Sequence, residues 1–212
     1  MIKVNNLTKK FGSHVSLDNV SIDFNKNDYI ALMGANGAGK TTLIRSILGY
    51  YHPNEGSVSI DGLDPIKQRM KVLENISFVP QLPPPIKLSI SELMQYISVS
   101  ANVDQELIKH YSNEMKLAIN ENMNKSFFAL SGGMKQKLLI AISLAKKSDI
   151  IIYDEPTANL DPKARDDFYR LLKQNEDEKV LLFVTHRLEE VETIVNRQVY
   201  MELGKIISDE TI

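Results

Sequence analysis

The chain has 212 residues, 43% of them hydrophobic and 25% charged, a balance that fits one globular domain, with or without a small inserted lobe, and speaks against disorder. Its 25 basic and 27 acidic residues leave a net charge of -2, so the basic field that free-standing nucleic-acid binders use is missing and nucleic acid is not an expected partner. With no cysteine, a disulfide framework, a thiolate metal site and a cysteine nucleophile are all excluded.

The first six residues, Met1-Ile2-Lys3-Val4-Asn5-Asn6, lack the basic stretch, apolar core and cleavage site of an export signal, so the expected location is cytoplasmic. From 2 to 24, apolar and polar residues alternate, most clearly in Val20-Ser21-Ile22-Asp23-Phe24, which predicts the half-buried strands of an antiparallel edge sheet. A short apolar strand over 28–33 runs directly into glycines, and beyond them Leu43, Ile44, Ile47 and Leu48 recur at helical spacing. The segment between, Gly34-Ala35-Asn36-Gly37-Ala38-Gly39-Lys40-Thr41, fits the phosphate-loop pattern in the strand, loop and helix context that the pattern requires.

The chemistry follows from the residue types. Glycines let the backbone curl so that successive N–H groups face phosphate oxygens, the helix N-terminus adds positive potential, and Lys40 supplies a full charge near the outer phosphates. The Thr41 hydroxyl suits Mg²⁺. Expected nucleotide contacts are therefore Gly34, Asn36, Gly37, Ala38, Gly39, Lys40, Thr41 and Thr42. A glycine-rich turn that binds nothing is the bland alternative, and its context weighs against it. Alone, the motif specifies only a nucleotide.

Further strands are predicted over 57–60 and 76–79, with Asp61-Gly62 as a turn. Gln81 is followed by Leu82 and by Pro83, Pro84 and Pro85, which cannot continue a central strand and favour a stiff extended segment. Ser89-Ile90-Ser91-Glu92 has capping-box spacing, and Leu107, Ile108, Tyr111, Met115, Ala118 and Ile119 mark one apolar helical face, so a helical lobe is expected here. The longest apolar runs, such as 138–145, fall short of the roughly 18 residues needed to cross a bilayer. Strands return over 150–153 and 180–184, separated by a helix with Asp161 as N-cap and Pro162 at its first position, and the last strands flank Gly204. No internal repeat or low-complexity tract interrupts this order.

Two more motifs carry chemistry. Ile150-Ile151-Ile152-Tyr153-Asp154-Glu155 is an apolar strand ending in two acids, suited to delivering carboxylates to a metal and an attacking water; a strand with solvated end charges is the alternative, made less probable by a phosphate loop in the same chain. Leu130-Ser131-Gly132-Gly133-Met134-Lys135-Gln136 places a hydroxyl and two glycines at a helix start, a second anion-binding element. One phosphate does not need both.

With these residues in order, the chain resembles the ATP-binding cassette (ABC) family, whose signature is Leu-Ser-Gly-Gly-Gln, over essentially its whole length. The resemblance implies an α/β fold: a P-loop NTPase, RecA-like core with an N-terminal antiparallel β subdomain and an α-helical subdomain inserted at about 82–147, within a single ABC ATPase domain of residues 1–212. It implies that Phe11 stacks on adenine and that Gln81 links Mg²⁺ and water to the helical lobe. Asp154 would hold the hydrated Mg²⁺, Glu155 would act as general base, and His186 would contact the γ-phosphate. Ser131, Gly132 and Gly133 would close over ATP held by a second copy, or by a paralogous subunit, and Ala158-Asn159-Leu160-Asp161 would cross that dimer interface.

Three residues depart from the family pattern. Met134 stands where Gln is usual, removing a side-chain donor and acceptor while leaving Ser131 and the two glycines. Phe11 replaces Tyr and keeps the π face. Tyr153 sits where an aliphatic residue is common, with no functional account. The implied function is the ATP-hydrolysing subunit of an ABC transporter, peripheral on the inner face of the membrane through a transmembrane permease met at Pro83–Pro85 and the lobe after it. Met134 and a compact chain resemble the ATPases of exporters, so export is the expected direction. The alternatives are a soluble ABC-type ATPase acting on ribosomes or DNA, disfavoured by a single cassette without a basic patch, and a non-catalytic ATP sensor, disfavoured by Glu155 and His186.

Overall fold

The computed structural model describes residues 1–175 and 179–212 and gathers them into two compact units. Met1–Ile76, Asp149–Ile152 and the chain from 179 onward make the first, and Ser77–Ser148 with residues 153–175 makes the second.

The first unit opens with β1 (Ile2–Phe11) antiparallel to β2 (His14–Phe24), and β4 (Glu55–Ile60) pairs with the other side of β1 to give the order β2-β1-β4. The predicted alternation is realised: Ile2, Val4, Val20, Ile22 and Phe24 are buried. Leu7 follows Val4 by three residues rather than two, and a bulge absorbs the odd residue. There Asn6 takes φ +47°, its N–H donates to Ser21 Oγ at 2.8 Å, and its side-chain amide donates to Asn19 Oδ1 at 3.0 Å.

The second sheet contains β3 (Tyr29–Met33), β5 (Ile76–Val79), β6 (Ile150–Asp154), β7 (Val180–Val184), β8 (Arg197–Glu202) and β9 (Lys205–Thr211) in the order β5-β6-β7-β3-β8-β9. β3 runs parallel to both β7 and β8, and β9 returns antiparallel to β8. Every residue of β7 is buried, as an interior parallel strand requires. α1 (Lys40–Ile47) follows β3 and buries Leu43, Ile44 and Ile47, and α2 (Arg69–Glu74) is a short helix before β5.

Arg197 pins the edge of this sheet. Its guanidinium donates to both carboxylate oxygens of Asp209 at 2.7 and 2.6 Å, to Asp28 Oδ2 at 2.7 Å and to the Asp23 carbonyl at 2.9 Å. Hydrogen bonding to Asp209 holds it charged, its pKa raised above the ordinary value, and the fork reaches three segments at once.

The second unit is mainly helical: α3 (Ile90–Ala101), α4 (Gln105–Glu114), α5 (Ile119–Asn122), α6 (Gly132–Ala145) and α7 (Pro162–Gln174). Both sequence-predicted caps form. Ser89 Oγ accepts from the Glu92 N–H while Glu92 accepts from the Ser89 N–H, and Asp161 Oδ1 accepts from the Ala164 N–H at 3.0 Å with Pro162 opening α7. The Ala164 bond in turn holds the Asp161 carboxyl below the usual range.

The apolar face read over 107–119 is not one helix. α4 stops at Glu114, and Lys116 turns to φ +55°. The Lys116 N–H then bonds Asn113 O at 2.9 Å and the Leu117 N–H bonds Ser112 O at 2.9 Å, a Schellman stop that satisfies the last carbonyls. Met115, Leu117 and Ile119 stay buried across the break, so burial is kept while helical continuity is lost. Tyr153 also finds its reason here. Its ring meets Phe168 edge to face at 5.1 Å, and its buried hydroxyl pairs with Ser143 Oγ at 2.9 Å, where burial pushes the phenol pKa up. Tyr153 is a core residue with one satisfied polar end.

Candidate functional site

In the first unit the segment from β3 to α1 forms the loop expected from the sequence. Its tightness depends on bare backbone. Gly34 has φ +141°, and a Cβ there would lie 2.2 Å from the Met201 carbonyl oxygen. The turn between β8 and β9 seats against the loop, its Gly204 N–H donating to Ala38 O at 3.0 Å while Gly204 O accepts from the Asp18 N–H at 2.9 Å. Lys40 is buried, and its ammonium donates to Gly34 O at 2.5 Å and Ala35 O at 3.0 Å, so it lies across the loop it belongs to. Thr41 and Asn36 are exposed, and the Thr42 hydroxyl is engaged with Ser16 Oγ at 2.8 Å.

Phe11 sits at the β1–β2 tip and is 43% exposed, unlike a core phenylalanine. It is not alone. Tyr51 meets it edge to face at 5.1 Å, Lys9 Nζ lies 5.0 Å from its ring centroid, and Arg45 Nη1 donates to the Tyr51 hydroxyl at 2.9 Å. This makes a cationic aromatic surface that can stack a flat heterocycle. The sequence singles out Phe11 but gives no sign of Lys9, Arg45 and Tyr51, because no local pattern links three residues from different segments. His186 follows β7 and is exposed, with Nε2 accepting from Arg187 Nε at 3.3 Å.

The second unit holds the remaining residues. Asp154 ends β6 with its side chain buried, and Glu155 is half-buried at φ +49°. A left-handed conformation at a non-glycine residue costs on the order of 1–2 kcal/mol and persists where the surroundings fix it. A turn holds it here: Ala158 N–H reaches Glu155 O at 3.2 Å and Leu160 N–H reaches Thr157 O at 3.1 Å. The sequence gives no signal for this strain.

Ser131 caps α6, its Oγ accepting from the Met134 N–H at 3.2 Å. A Cβ at Gly133 would stand 3.0 Å from Asn159 O, and Asn159 Nδ2 lies 3.5 Å from the carbonyl oxygen of the exposed Gln81. Asn159 therefore lies against both the signature turn and the Gln81 loop. The first unit contains the phosphate loop, Phe11 and His186, and the second contains Gln81, Ser131, Gly132, Gly133, Asp154 and Glu155. Among the described residues no group of three or more His, Cys, Asp or Glu can hold a metal ion. The Thr41 hydroxyl in the first unit, and the Gln81 amide oxygen and the Asp154 carboxylate in the second, are each hard oxygen donors, the kind that suits Mg²⁺.

The model of the ABC transporter family matches residues 17–158. The energy-coupling factor transporter ATP-binding protein EcfA2 of Clostridium tetani is 32% identical over 98% of this chain and 78% of its own. The Nod factor export ATP-binding protein I of Burkholderia lata is 32% identical over 98% of this chain and 70% of its own. A dimeric post-hydrolysis structure of the ATP-binding cassette MJ0796 bound to ADP and Pi matches with a TM-score of 0.87 at 28% identity, over 100% of this chain and 98% of that one.

The loop geometry separates two glycines. Gly37 has φ +85° but meets nothing within 4 Å, whereas Gly34 faces the Met201 backbone. Gly37→Ala is expected to cost only the roughly 1–2 kcal/mol of a left-handed alanine. Gly34→Ala must in addition displace a strand, and is expected to lower the melting temperature by at least twice as much in parallel thermal scans.

Proposed function

This chain belongs to the ABC transporter family, in which it is an ATP-binding and ATP-hydrolysing subunit, and on that premise we propose a two-site motor that drives export through a separate transmembrane subunit. The observation that carries the proposal is two helix starts of a kind suited to phosphate in one chain, the glycine loop before α1 and the Ser131-capped start of α6. They find a use together when they serve different phosphates, the loop holding the chain's own ATP and the signature turn closing on the ATP of a second copy. The dimeric state of the MJ0796 relative supports this pairing.

In this mechanism adenine stacks on Phe11 and the phosphates enter the loop from Gly34 to Thr42. Lys40 exchanges a loop carbonyl for a phosphate oxygen, a small movement because its ammonium already lies over the loop. Thr41, Gln81 and Asp154 would hold Mg²⁺, which when bound offsets the phosphate charge. Glu155 takes a proton from the attacking water as the new P–O bond forms and the bond to ADP breaks. His186, Lys40 and the partner subunit's Ser131 stabilise the charge on the γ-phosphoryl oxygens. Positioning supplies most of the acceleration, which gives the fixed backbone of Glu155 a purpose.

The exposed Leu82 and the three prolines after it, outside any helix or strand, are proposed to meet the permease at the inner membrane face. Proline stiffness transmits displacement better than a flexible linker. Export is supported by the Nod factor relative and by Met134 in the signature.

Glu155→Gln is expected to retain ATP binding, measured by equilibrium dialysis, while phosphate release falls by about 10²–10⁴-fold; hydrolysis at the native rate would remove Glu155 from the base role. Photo-cross-linking from residue 84 should capture a copurified membrane protein. Capture only from positions between 15 and 24 would contradict the proposed permease contact.

A further inference from the structure

Gln136 lies one turn inside α6 with none of its surface exposed, and neither its amide oxygen nor its amide nitrogen has a hydrogen-bond partner among the described residues. Its neighbours on the buried side of the helix, Leu138, Ile140 and Ala141, are apolar and equally inaccessible. Packing alone would be served better by methionine or leucine, because a buried amide left unpaired costs the full desolvation of both its ends. Such a residue calls for a reason outside the resting fold.

The helix geometry indicates where the reason lies. Gln136 follows Gly133 by three residues and so shares its face, and a helical side chain leans back over the turn before it. That turn is the signature turn. Its Gly133 confronts the Asn159 carbonyl so closely that a Cβ would stand 3.0 Å away. Asn159 lies four residues beyond Glu155, in the same short turn.

We propose that Gln136 is a positioning residue whose amide donates to the Asn159 carbonyl when nucleotide draws the signature turn inward, coupling the start of α6 to the turn that holds Glu155. Without that bond the amide is unpaired, which raises the free energy of the open arrangement relative to the closed one. Release of that penalty on closure biases the chain toward the ATP-bound state, since a conformational change needs a differential interaction between its two states. The proposal rests on the two-site motor reading for its functional half only.

The test uses the full chain with Gln136→Met, close in shape and without the amide, and Gln136→Leu as a second apolar variant should Met pack poorly. Without nucleotide the melting temperature of Gln136→Met is expected to rise by about 3–6 °C, the size of an unsatisfied group removed from a chain of this length. With MgATP, kcat is expected to fall by about tenfold while KM stays within about twofold of native, in the range of measured couplings between separated sites. In a Glu155→Gln background the gain in melting temperature on adding MgATP should be smaller with Gln136→Met than with Gln136. An unchanged or lowered nucleotide-free melting temperature in both apolar variants overturns the proposal, because the amide is then already satisfied. A raised melting temperature with native kcat overturns the coupling. If the native chain fails to bind or hydrolyse ATP, the motor reading fails, and the nucleotide-free comparison still decides whether the amide is unpaired.

Discussion

The phosphate loop can exist only where backbone meets backbone without side chains between. Gly34 stands against the Met201 carbonyl with no room for a Cβ, and Gly204 N–H bonds Ala38 O, so the turn between β8 and β9 sets the shape of a loop some 170 residues earlier. That contact requires β8 beside β3, which the parallel pairing of Ile30 to Met33 with Arg197 to Tyr200 provides. The Arg197 fork then fixes β8 against β9 and against the segment entering β3. A loop of N–H groups suited to an anion thus depends on sheet order, and sheet order depends on buried strands such as the apolar β7.

The second unit solves a similar problem differently. Its candidate anion-binding end is a helix start, capped by Ser131 and with two glycines beside Asn159. Its acids arrive on a strand that ends at Asp154, and Glu155 is turned out of the strand by a left-handed residue held in a short turn. On the proposed reading the two units would each carry half of the chemistry that ATP hydrolysis needs: phosphate binding and adenine stacking in the first, carboxylates and the signature in the second. A pair of chains would then use all of these parts.

Legibility from the sequence followed the range of the interactions. Caps at Ser89 and Asp161, the glycine loop and the apolar strands are set within a few residues, and each formed as read. The bulge at Asn6 was hidden because its partners, Ser21 and Asn19, lie across a hairpin. The stop at Lys116 was hidden because the apolar spacing continues through it, and only a left-handed lysine separates two helices from one. The aromatic surface around Phe11 draws on Lys9, Arg45 and Tyr51 from three segments, and the role of Tyr153 depends on Ser143 and Phe168. Strain at Glu155 and the unpaired amide of Gln136 are properties of the folded environment alone.

Subunit complementation tests the two-site motor most directly. Lys40→Ala disables the phosphate loop but leaves the signature, whereas Ser131→Arg blocks the signature but leaves the loop, and each variant alone should be nearly inactive. If the site is shared between chains, a mixture of the two forms heterodimers containing one intact site, and phosphate release should reappear, up to about a quarter of the native rate for random pairing with sites that turn over independently. If the mixture stays as inactive as its parts while each variant still binds its partner by light scattering, the hydrolytic site is not composed from two chains and the motor described here is wrong.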